Sequence, residues 1–318
     1  MSVRIGLGMA AFPFSSTRAF WRWVELCEDG DVDSLWQSDR LLASDASPRP
    51  QLETMSLMAA LAGATERLKF GMNVVVLPLR DPIALAAECA TIDFLSDGRL
   101  LPAFGVGGNA SPAWAATGRD PRGRGARSNE ALEIMTALWR GERVTFEGEH
   151  YRVADASIAP APVQQPMPLW IGGSSRAAIR RTVRYGNGWL GGLQTPAQVA
   201  PVVASIREEA ARQGTRIPDD HYGANITYRF GSWDEPEVER ATAAFGRLAV
   251  QDRPDPRDHV AVGDASDIIR RVEEYVAVGV TKFVVRPIAE SDDELMEQTR
   301  RLIDEVLPVV HGDGGDGE

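Results

Sequence analysis

Short apolar stretches alternate with helix-like segments along the whole chain. Eight apolar stretches predict β-strands, at residues 3–9, 33–37, 68–76, 99–107, 169–173, 188–192, 222–230 and 281–287. Several are nearly continuous in apolar residues, which is typical of strands covered on both faces. Asp81 followed by Pro82, and Asp264 before a segment that closes at Gly279, are typical helix ends. Eight strands that each precede a helix favour an α/β fold, the (β/α)8 TIM barrel, over the alternative of a doubly wound sheet.

Two segments between the fourth and fifth strands exceed what a barrel needs. Residues 106–124 are rich in Gly, Pro and Arg, and residues 141–167 contain short strand-like pieces and a Pro-rich approach to the fifth strand. We expect both to be insertions near the same end of the barrel. The pattern therefore predicts one domain over residues 1–308, followed by a disordered tail at residues 309–318.

Composition and charge narrow the functional class. The chain has 318 residues, of which 44% are hydrophobic and 25% charged, as is typical of globular proteins. Its net charge of −11 argues against nucleic-acid binding, which needs concentrated Lys and Arg, so a small molecule is the expected partner. Cys27 and Cys89 lack the spacing of a metal site or a disulfide framework. The chain shows neither an export signal nor an apolar run of membrane-spanning length, so we expect a cytoplasmic protein without metal or membrane binding.

The stretch PLWIGGSSRAAIRR, from Pro168, places a glycine-serine turn between a predicted strand and a predicted helix. Such a turn leaves unpaired N–H groups at the positive end of the helix, where they form a cradle for phosphate. The cradle residues are Gly172, Gly173, Ser174 and Ser175. Glycines allow an anion to approach closely, and serine hydroxyls can donate further hydrogen bonds. The alternative is an ordinary turn with a serine as helix cap.

The same segment, continued through RYGNGWLGG, resembles the luciferase-like flavin-dependent monooxygenases of the bacterial luciferase superfamily. Four other stretches resemble that family in the family's order: DSLWQSDRL from Asp33, ERLKFGMNVVVLPLRDPIALAAECATIDFLSDGRLLPAFGVGG from Glu66, RSNEALEIMTALWRGERVTFEGEHYRV from Arg127, and GVTKFVVRP from Gly279. Together these matches cover most of residues 3–308. They identify the superfamily and leave the substrate open.

The resemblance implies a TIM barrel, usually a homodimer, that binds reduced flavin (FMN) or the 5-deazaflavin coenzyme F-420 at the mouth formed by the carboxyl ends of the strands. The phosphate would lie on the glycine-serine turn. The ring would rest against the third strand, at Met72, Asn73 and Val74, where the family often has a non-proline cis peptide. The bond between Asn73 and Val74 matches that position. Without the resemblance, this stretch would be read as an ordinary core strand.

Asp39 and Arg40 end the second strand, where many relatives have an acidic residue followed by histidine. Arginine stays protonated, so Arg40 is a poor proton shuttle, but it could stabilise an anionic reduced flavin or a bound carboxylate. The alternative is a salt bridge of Arg40 with Asp39 or Asp45. The four histidines, His150, His221, His259 and His311, fall elsewhere, so no histidine acid/base role transfers.

The ends of the fourth and eighth strands supply the remaining candidates. Gly107 and Gly108 would clear space beside the coenzyme, and Asn109 follows them; the alternative is a flexible start to the insertion. Arg286 would point into the mouth from the eighth strand and could pair with substrate or phosphate. Met9, Trp114 and Trp189 could form apolar walls, although such residues more often belong to the core. We name Arg40, Asn109 and Arg286 as candidate catalytic residues, and Asp39 and Trp189 as coenzyme contacts beside those already given.

The resemblance implies an oxidoreductase. In deazaflavin-linked relatives a carboxylate can act as proton donor after the fourth strand, but the stretch GGNASPAW has none. The prediction is therefore a monooxygenase that uses reduced FMN, supplied by a separate flavin reductase, and dioxygen to oxygenate a small organic substrate. The first alternative is hydride transfer between a small substrate and F-420. The second is a flavin-binding barrel without catalysis.

Overall fold

The computed structural model describes residues 2–42, 49–248 and 255–311. All eight predicted strands are present, and they lie parallel in one curled sheet. The strands of the described chain are β1 (Arg4–Met9), β2 (Ser34–Gln37), β3 (Lys69–Met72), β4 (Val75–Val76), β5 (Leu100–Leu101), β6 (Ala103–Gly105), β7 (Val144–Glu147), β8 (Arg152–Ala156), β9 (Trp170–Gly172), β10 (Gly188–Leu190), β11 (Tyr222–Phe230), β12 (Val260–Gly263) and β13 (Lys282–Pro287).

Two of the predicted strands are interrupted. The third consists of β3 and β4, separated at the Asn73–Val74 peptide bond, which is cis as the family resemblance implies. The fourth consists of β5 and β6, separated at Pro102, which has no N–H to donate to a ladder. Its carbonyl oxygen still accepts from the N–H of Trp170 at 2.9 Å. Each pair therefore acts as one of the eight strands of the barrel; we call each of these eight units a stave.

Strand pairing closes the sheet into a barrel. β1 pairs with β13 on one side and with β2 on the other, and β2 pairs with β3. β3 pairs with β5, while β4 pairs with β6, so the third and fourth staves are joined along their length. β6, β9, β10, β11 and β13 then follow in order and complete the circuit. The predicted TIM barrel is confirmed.

Helices cover the outside of the barrel. In the described chain they are α1 (Thr17–Asp29), α2 (Thr54–Ala64), α3 (Pro82–Leu95), α4 (Ala113–Ala116), α5 (Arg124–Trp139), α6 (Arg176–Tyr185), α7 (Pro196–Arg212), α8 (Pro236–Leu248), α9 (Ala265–Val276), α10 (Asp292–Arg301) and α11 (Leu307–Val310). Short 3-10 turns lie at Leu77–Leu79 and Pro256–His259, and a π-turn at Leu302–Val306 joins α10 to α11. No helix in these described ranges combines the length and apolar character needed to cross a bilayer.

The predicted helix ends are those of the structure. Asp81 precedes Pro82, the first residue of α3, and its carboxylate accepts from the N–H groups of Ile83 and Ala84. Asp264 forms a capping box at the start of α9. Both caps satisfy N–H groups that have no acceptor within the helix.

Both insertions after the fourth stave are present. The first contains α4 and leads into α5. The second contains an antiparallel hairpin of β7 and β8, in which Phe146 lies opposite Val153. The structure adds a strand that the hydrophobic pattern did not predict. β12 pairs with the end of β11, from Thr227 to Phe230, because β11 is longer than its barrel neighbours and extends past the mouth.

Large and small residues alternate inside the barrel. The rings of Trp36 and Trp170 meet edge to face, 6.3 Å apart. A β-carbon at Gly71 would lie 2.6 Å from the Trp36 ring, and one at Gly188 would lie 2.6 Å from the Trp170 ring. Glycine at these positions is therefore what allows two tryptophans to fill the interior.

An ion pair closes the end of the barrel that is formed by the amino ends of the strands. The ammonium group of Lys282 forms an ion pair with the carboxylate of Asp33, and both side chains are only 6% exposed. Near this end α11 runs to Val310, and the ring Nε2 of His311 accepts from the backbone N–H of Ile5 at 3.1 Å. The predicted tail began at residue 309; residues 312–318 lie outside the described chain.

Candidate functional site

Small and polar residues line the mouth at the carboxyl ends of the barrel strands. Side chains alternate along a strand, so every second residue faces the interior. Above the tryptophan layer the inward positions are Gly8, Ser38, Asn73, Gly105, Gly172, Asn225 and Arg286. In barrels of this type such a face is where catalytic residues converge.

The glycine-serine turn has the form that the sequence predicted. Gly173 has a φ of +105°, a conformation that side chains rarely adopt. Ser175 caps α6, and its Oγ accepts from the N–H of Ala178 at 3.2 Å. The first-turn N–H groups of Arg176 and Ala177 have no acceptor within the helix. The turn therefore offers backbone donors at a positive helix end, and it fits a phosphate.

The two serines of the turn differ in what they can give to an anion. Ser174 donates its hydroxyl to Oε1 of Gln194 at 2.8 Å, so that donor is already used. Ser175 uses only a lone pair for its cap, which leaves its hydroxyl hydrogen free to donate. The backbone of Gln194 is in turn fixed, because its main-chain carbonyl oxygen accepts from the Tyr275 hydroxyl at 2.6 Å.

Trp189 supports the turn from behind. Its side chain is fully buried, and its indole N–H donates to the carbonyl oxygen of Gly173 at 2.9 Å. Trp189, predicted to contact the coenzyme, therefore does not line the mouth. Its indole ring instead holds the turn in place. Met72 is likewise fully buried, and because Gly71 and Asn73 face the barrel interior its side chain packs in the outer core, so it does not line the mouth either.

Val74 occupies the space that two glycines leave open. A β-carbon at Gly105 would lie 2.7 Å from Cγ2 of Val74, and one at Gly172 would lie 3.2 Å from the same atom. Val74 is half-buried and packs on the tryptophan layer. The glycines at the ends of the fourth and fifth staves thus make room for Val74, which forms an apolar platform at the mouth.

An amide pair spans the mouth. Nδ2 of Asn73 donates to Oδ1 of Asn225 at 2.6 Å, and Nδ2 of Asn225 donates to the carbonyl oxygen of Gly191 at 2.7 Å. Sequence reasoning missed Asn225. The available signal was a polar residue on an inward position of β11, whose nine residues are all buried.

The carboxylate of Asp39 holds neighbouring segments of the chain together, and we call this set of contacts the Asp39 clamp. Its Oδ1 accepts from Thr54 at 3.1 Å and pairs with Arg80 at 3.0 Å, and its Oδ2 accepts from the N–H of Val76 at 3.1 Å. The side chain is 4% exposed. The carboxylate of Asp39, predicted to contact the coenzyme, is thus engaged within the protein. Asp39 forms its salt bridge with Arg80, and not with Arg40 as the alternative suggested. Asp45, the other suggested partner, lies outside the described residues.

Arg40 and Arg286 bring positive charge to one side of the mouth. Arg40 is exposed at the rim. Arg286 donates to the Ser38 hydroxyl at 3.0 Å, while its Nε is buried without a hydrogen-bond partner among the described residues. Burial, together with the charge of Arg40, lowers the pKa of Arg286 to about 10, so the guanidinium remains a cation at neutral pH.

The loop after the fourth stave is held by an arginine of the first insertion. Arg124 donates from Nε to the carbonyl oxygen of Gly107 at 3.1 Å, and it also donates to the side chain of Asn109. The indole of Trp114 donates to the carbonyl oxygen of Gly108 at 2.8 Å, so Trp114 braces this loop. Asn109 is exposed, and open space surrounds the position of a Gly108 β-carbon.

Comparisons with known proteins include one relative without a described activity. An uncharacterised protein of Mycobacterium tuberculosis (strain ATCC 25618 / H37Rv) is 34% identical over 168 residues, which is 52% of this chain. The aligned region spans 57% of the length of that relative.

Two other matches extend along nearly the whole chain. An F420-dependent glucose-6-phosphate dehydrogenase of Beutenbergia cavernae is 27% identical, covering 96% of this chain and 97% of that protein. The solved structure of an F420-dependent secondary alcohol dehydrogenase in complex with an F420-acetone adduct superposes with a TM-score of 0.82 at 18% identity. It covers 96% of this chain and 99% of that chain, and it supports the fold.

The family model described as luciferase-like monooxygenase matches residues 6–258. That range includes the glycine-serine turn, the Asn73–Val74 peptide and the loop after the fourth stave, which are the features that shape the mouth. The chain belongs to the luciferase-like monooxygenase family.

Proposed function

We propose that the mouth binds a tricyclic flavin-type coenzyme, with its phosphate on the turn from Gly172 to Ser175 and its ring over Val74. The observation that carries this proposal is the turn itself. It joins a left-handed glycine, free first-turn N–H groups and one uncommitted serine hydroxyl at a positive helix end. Val74 supplies an apolar surface for a ring, and the orphaned Nε of Arg286 supplies a cation for an anionic one.

The favoured reaction is oxygenation of a small organic substrate with reduced FMN and dioxygen. Reduced FMN, when bound, supplies the activation of dioxygen. Among the described residues of the mouth, Asp39 is fully engaged, and the four histidines lie elsewhere: in the β7–β8 hairpin, before β11, before β12 and after α11. The protein's own part is then to position the reactants and exclude water. A mouth whose described residues include no free carboxylate or histidine suits chemistry in which the coenzyme does most of the work.

Hydride transfer with F-420 is the second candidate. The observation in its favour is the F420-dependent glucose-6-phosphate dehydrogenase of Beutenbergia cavernae, which aligns over 96% of this chain. The cationic side of the mouth suits an anionic deazaflavin as well as an anionic flavin. The homodimer, the separate flavin reductase and the cytoplasmic location remain predictions.

Calorimetric titration with FMN, reduced FMN under anaerobic conditions and F-420 tests the coenzyme. We expect micromolar or tighter binding of reduced FMN, with consumption of dioxygen when a flavin reductase recycles it. Tight binding of F-420, with FMN at least tenfold weaker, would place the second candidate first. If none of the three binds, the placement of a coenzyme at this mouth is wrong.

The turn is tested by Gly173→Ala. A β-carbon there would lie 3.3 Å from the side chain of Ala178 in a conformation that disfavours any side chain, so the cradle must reshape. Gly192→Ala is the matched control, because no atom lies within 4 Å of its added β-carbon. We expect coenzyme affinity to fall in the first variant and to remain in the second. Equal affinities would move the phosphate away from the turn.

A further inference from the structure

The amide pair of Asn73 and Asn225 connects opposite sides of the barrel. Asn73 lies between β3 and β4 in the third stave, and Asn225 lies on β11 in the seventh, which is halfway around the eight-stave barrel. Nδ2 of Asn73 donates to Oδ1 of Asn225 at 2.6 Å, and Nδ2 of Asn225 donates back, more weakly, to Oδ1 of Asn73 at 3.4 Å. The pair forms a polar layer above the tryptophan layer, so a molecule bound at the mouth would lie against it.

The carbonyl oxygen of Gly191 determines the orientation of both amides. A carbonyl oxygen only accepts hydrogen bonds, and this one lies 2.7 Å from the side-chain amide of Asn225, so Asn225 must direct its Nδ2 there. Oδ1 of Asn225 is then the acceptor for the third stave, and Asn73 must present its Nδ2 to that oxygen. The orientation of Asn73 is therefore imposed by Asn225, which is itself fixed by the residue that follows β10.

The two amides differ in what they can still offer to a ligand. Asn225 is 4% exposed, and both of its N–H groups are engaged. Asn73 donates one of its two N–H groups, and the other has no acceptor among the described residues. Asn73 is half-buried, and because the tryptophans fill the barrel beneath it, its exposed part faces the mouth. The pair thus offers one uncommitted N–H group beside the Val74 platform.

We propose that Asn225 is a positioning residue for the coenzyme: it keeps the uncommitted N–H of Asn73 directed to the mouth, where this N–H donates to an acceptor of the coenzyme ring. The inference rests on the proposed function, which places the ring over Val74. Asn225 acts through Asn73 and does not touch the coenzyme, because it is buried and its donors are engaged. Hydrogen bonds to the ring are one of the means by which a protein tunes such a coenzyme.

Calorimetric titration of Asn73→Leu, Asn225→Leu and the double variant with FMN, reduced FMN and F-420 tests this order of action. Each single variant should bind the coenzyme of the wild type about three- to tenfold more weakly, the effect of one hydrogen bond. The double variant should bind no more weakly than Asn73→Leu, because Asn225 acts only through Asn73. Asn129→Leu is the control: its Oδ1 accepts from Arg181 at 2.9 Å on the helical shell, so coenzyme affinity should remain. Asn225→Ala is a second variant with the same expectation, should leucine not fit at the buried position.

NMR provides a measurement that needs no coenzyme. The chain has five asparagines, so selective ¹⁵N labelling gives five side-chain amide pairs, and the variants assign those of Asn73, Asn129 and Asn225. The signals of the Asn73 pair should move in the free Asn225→Leu protein. Coenzyme added to the wild type should move the signals of Asn73 and leave those of Asn129 unchanged.

Two results overturn the positioning role while the proposed function stands. One is additive losses of affinity in the double variant, which would show that Asn225 acts independently of Asn73. The other is a coenzyme that binds to the wild type without moving the Asn73 signals. If the wild type binds none of the three coenzymes, the proposed function fails and the contact to the ring fails with it.

Discussion

The indole N–H of Trp189 donates to the carbonyl oxygen of Gly173 across a distance of 2.9 Å. These two residues belong to neighbouring staves, because β9 ends at Gly172 and pairs with β10, which contains Trp189. A fully buried side chain of one strand thus fixes the left-handed residue of the turn that follows the other. The shape of the glycine-serine turn is therefore set by the packing of the barrel beneath it.

Trp189→Phe is expected to loosen the cradle. It removes the indole donor and leaves the carbonyl oxygen of the exposed Gly173 without its protein partner, a change that costs about 0.5–1.5 kcal/mol. We expect lower stability in urea denaturation and about three- to tenfold weaker coenzyme binding.

Trp139→Phe is the control for this variant. Trp139 is also buried, and its indole donates to the carbonyl oxygen of Ala86 at 3.0 Å, on the helical shell. It should lose comparable stability and keep its coenzyme affinity. A similar loss of affinity in both variants would show a general effect of destabilisation and contradict the specific role of Trp189.

Asp39→Asn should destabilise the protein by about 2–4 kcal/mol, because it leaves Arg80 without its buried counter-charge and weakens the hold on the N–H of Val76. Glu53→Gln provides the comparison, since Glu53 pairs with the same arginine at 2.9 Å but is 39% exposed. We expect a loss of no more than about 1 kcal/mol there. Chemical denaturation at pH 7 measures both; a larger loss in the Glu53 variant would contradict the clamp.

The hydrophobic pattern predicted the staves well because a strand buried on both faces must be apolar along its length. The turn at Gly173 could be predicted because few residues other than glycine accept its backbone conformation. β12 was missed, because Val260–Gly263 is a short apolar run whose role depends on the end of β11 extending past its other neighbours.

The partners of the site residues could not be predicted from the sequence in the same way. Asp39 pairs with Arg80, 41 positions away, and Asn73 pairs with Asn225, 152 positions away. Those contacts depend on barrel register, which a local pattern does not contain. The sequence also could not show that Gly105 and Gly172 make room for Val74, since a missing β-carbon is informative only once its neighbour is known.

His311 should make stability depend on pH below neutrality. Burial lowers the pKa of His311, and its neutral Nε2 accepts from the N–H of Ile5. The unfolded chain therefore takes up the proton more readily than the folded one, so the stabilisation is complete above the unfolded pKa of about 6.5 and is lost as the pH falls below it. Nearby charges act in both directions: Asp33 and Asp31 raise this pKa, whereas Arg4 and Lys282 lower it.

His311→Gln tests this assignment, because an amide oxygen can still accept from Ile5 and does not titrate in this range. Urea midpoints at pH 7.5 and 5.5 should fall further with acidification in the wild type than in the variant. The other histidines are common to both proteins, so the difference between the two proteins reports His311. The same pH dependence in both proteins would show that the hydrogen bond between Ile5 and His311 does not contribute to the pH dependence of stability.

The two serines of the turn should differ in their importance. Ser175→Ala removes the cap of α6, which costs about 1 kcal/mol of stability, and also removes the uncommitted hydroxyl at the cradle. We expect coenzyme affinity to fall about tenfold. Ser174→Ala removes a hydroxyl that already donates to Gln194, so its effect on affinity should stay below about threefold. Calorimetric titration of both variants with the coenzyme that the wild type binds measures the difference. A larger loss in Ser174→Ala would mean that the link to Gln194 governs the cradle, and that the free hydroxyl of Ser175 does not reach the phosphate.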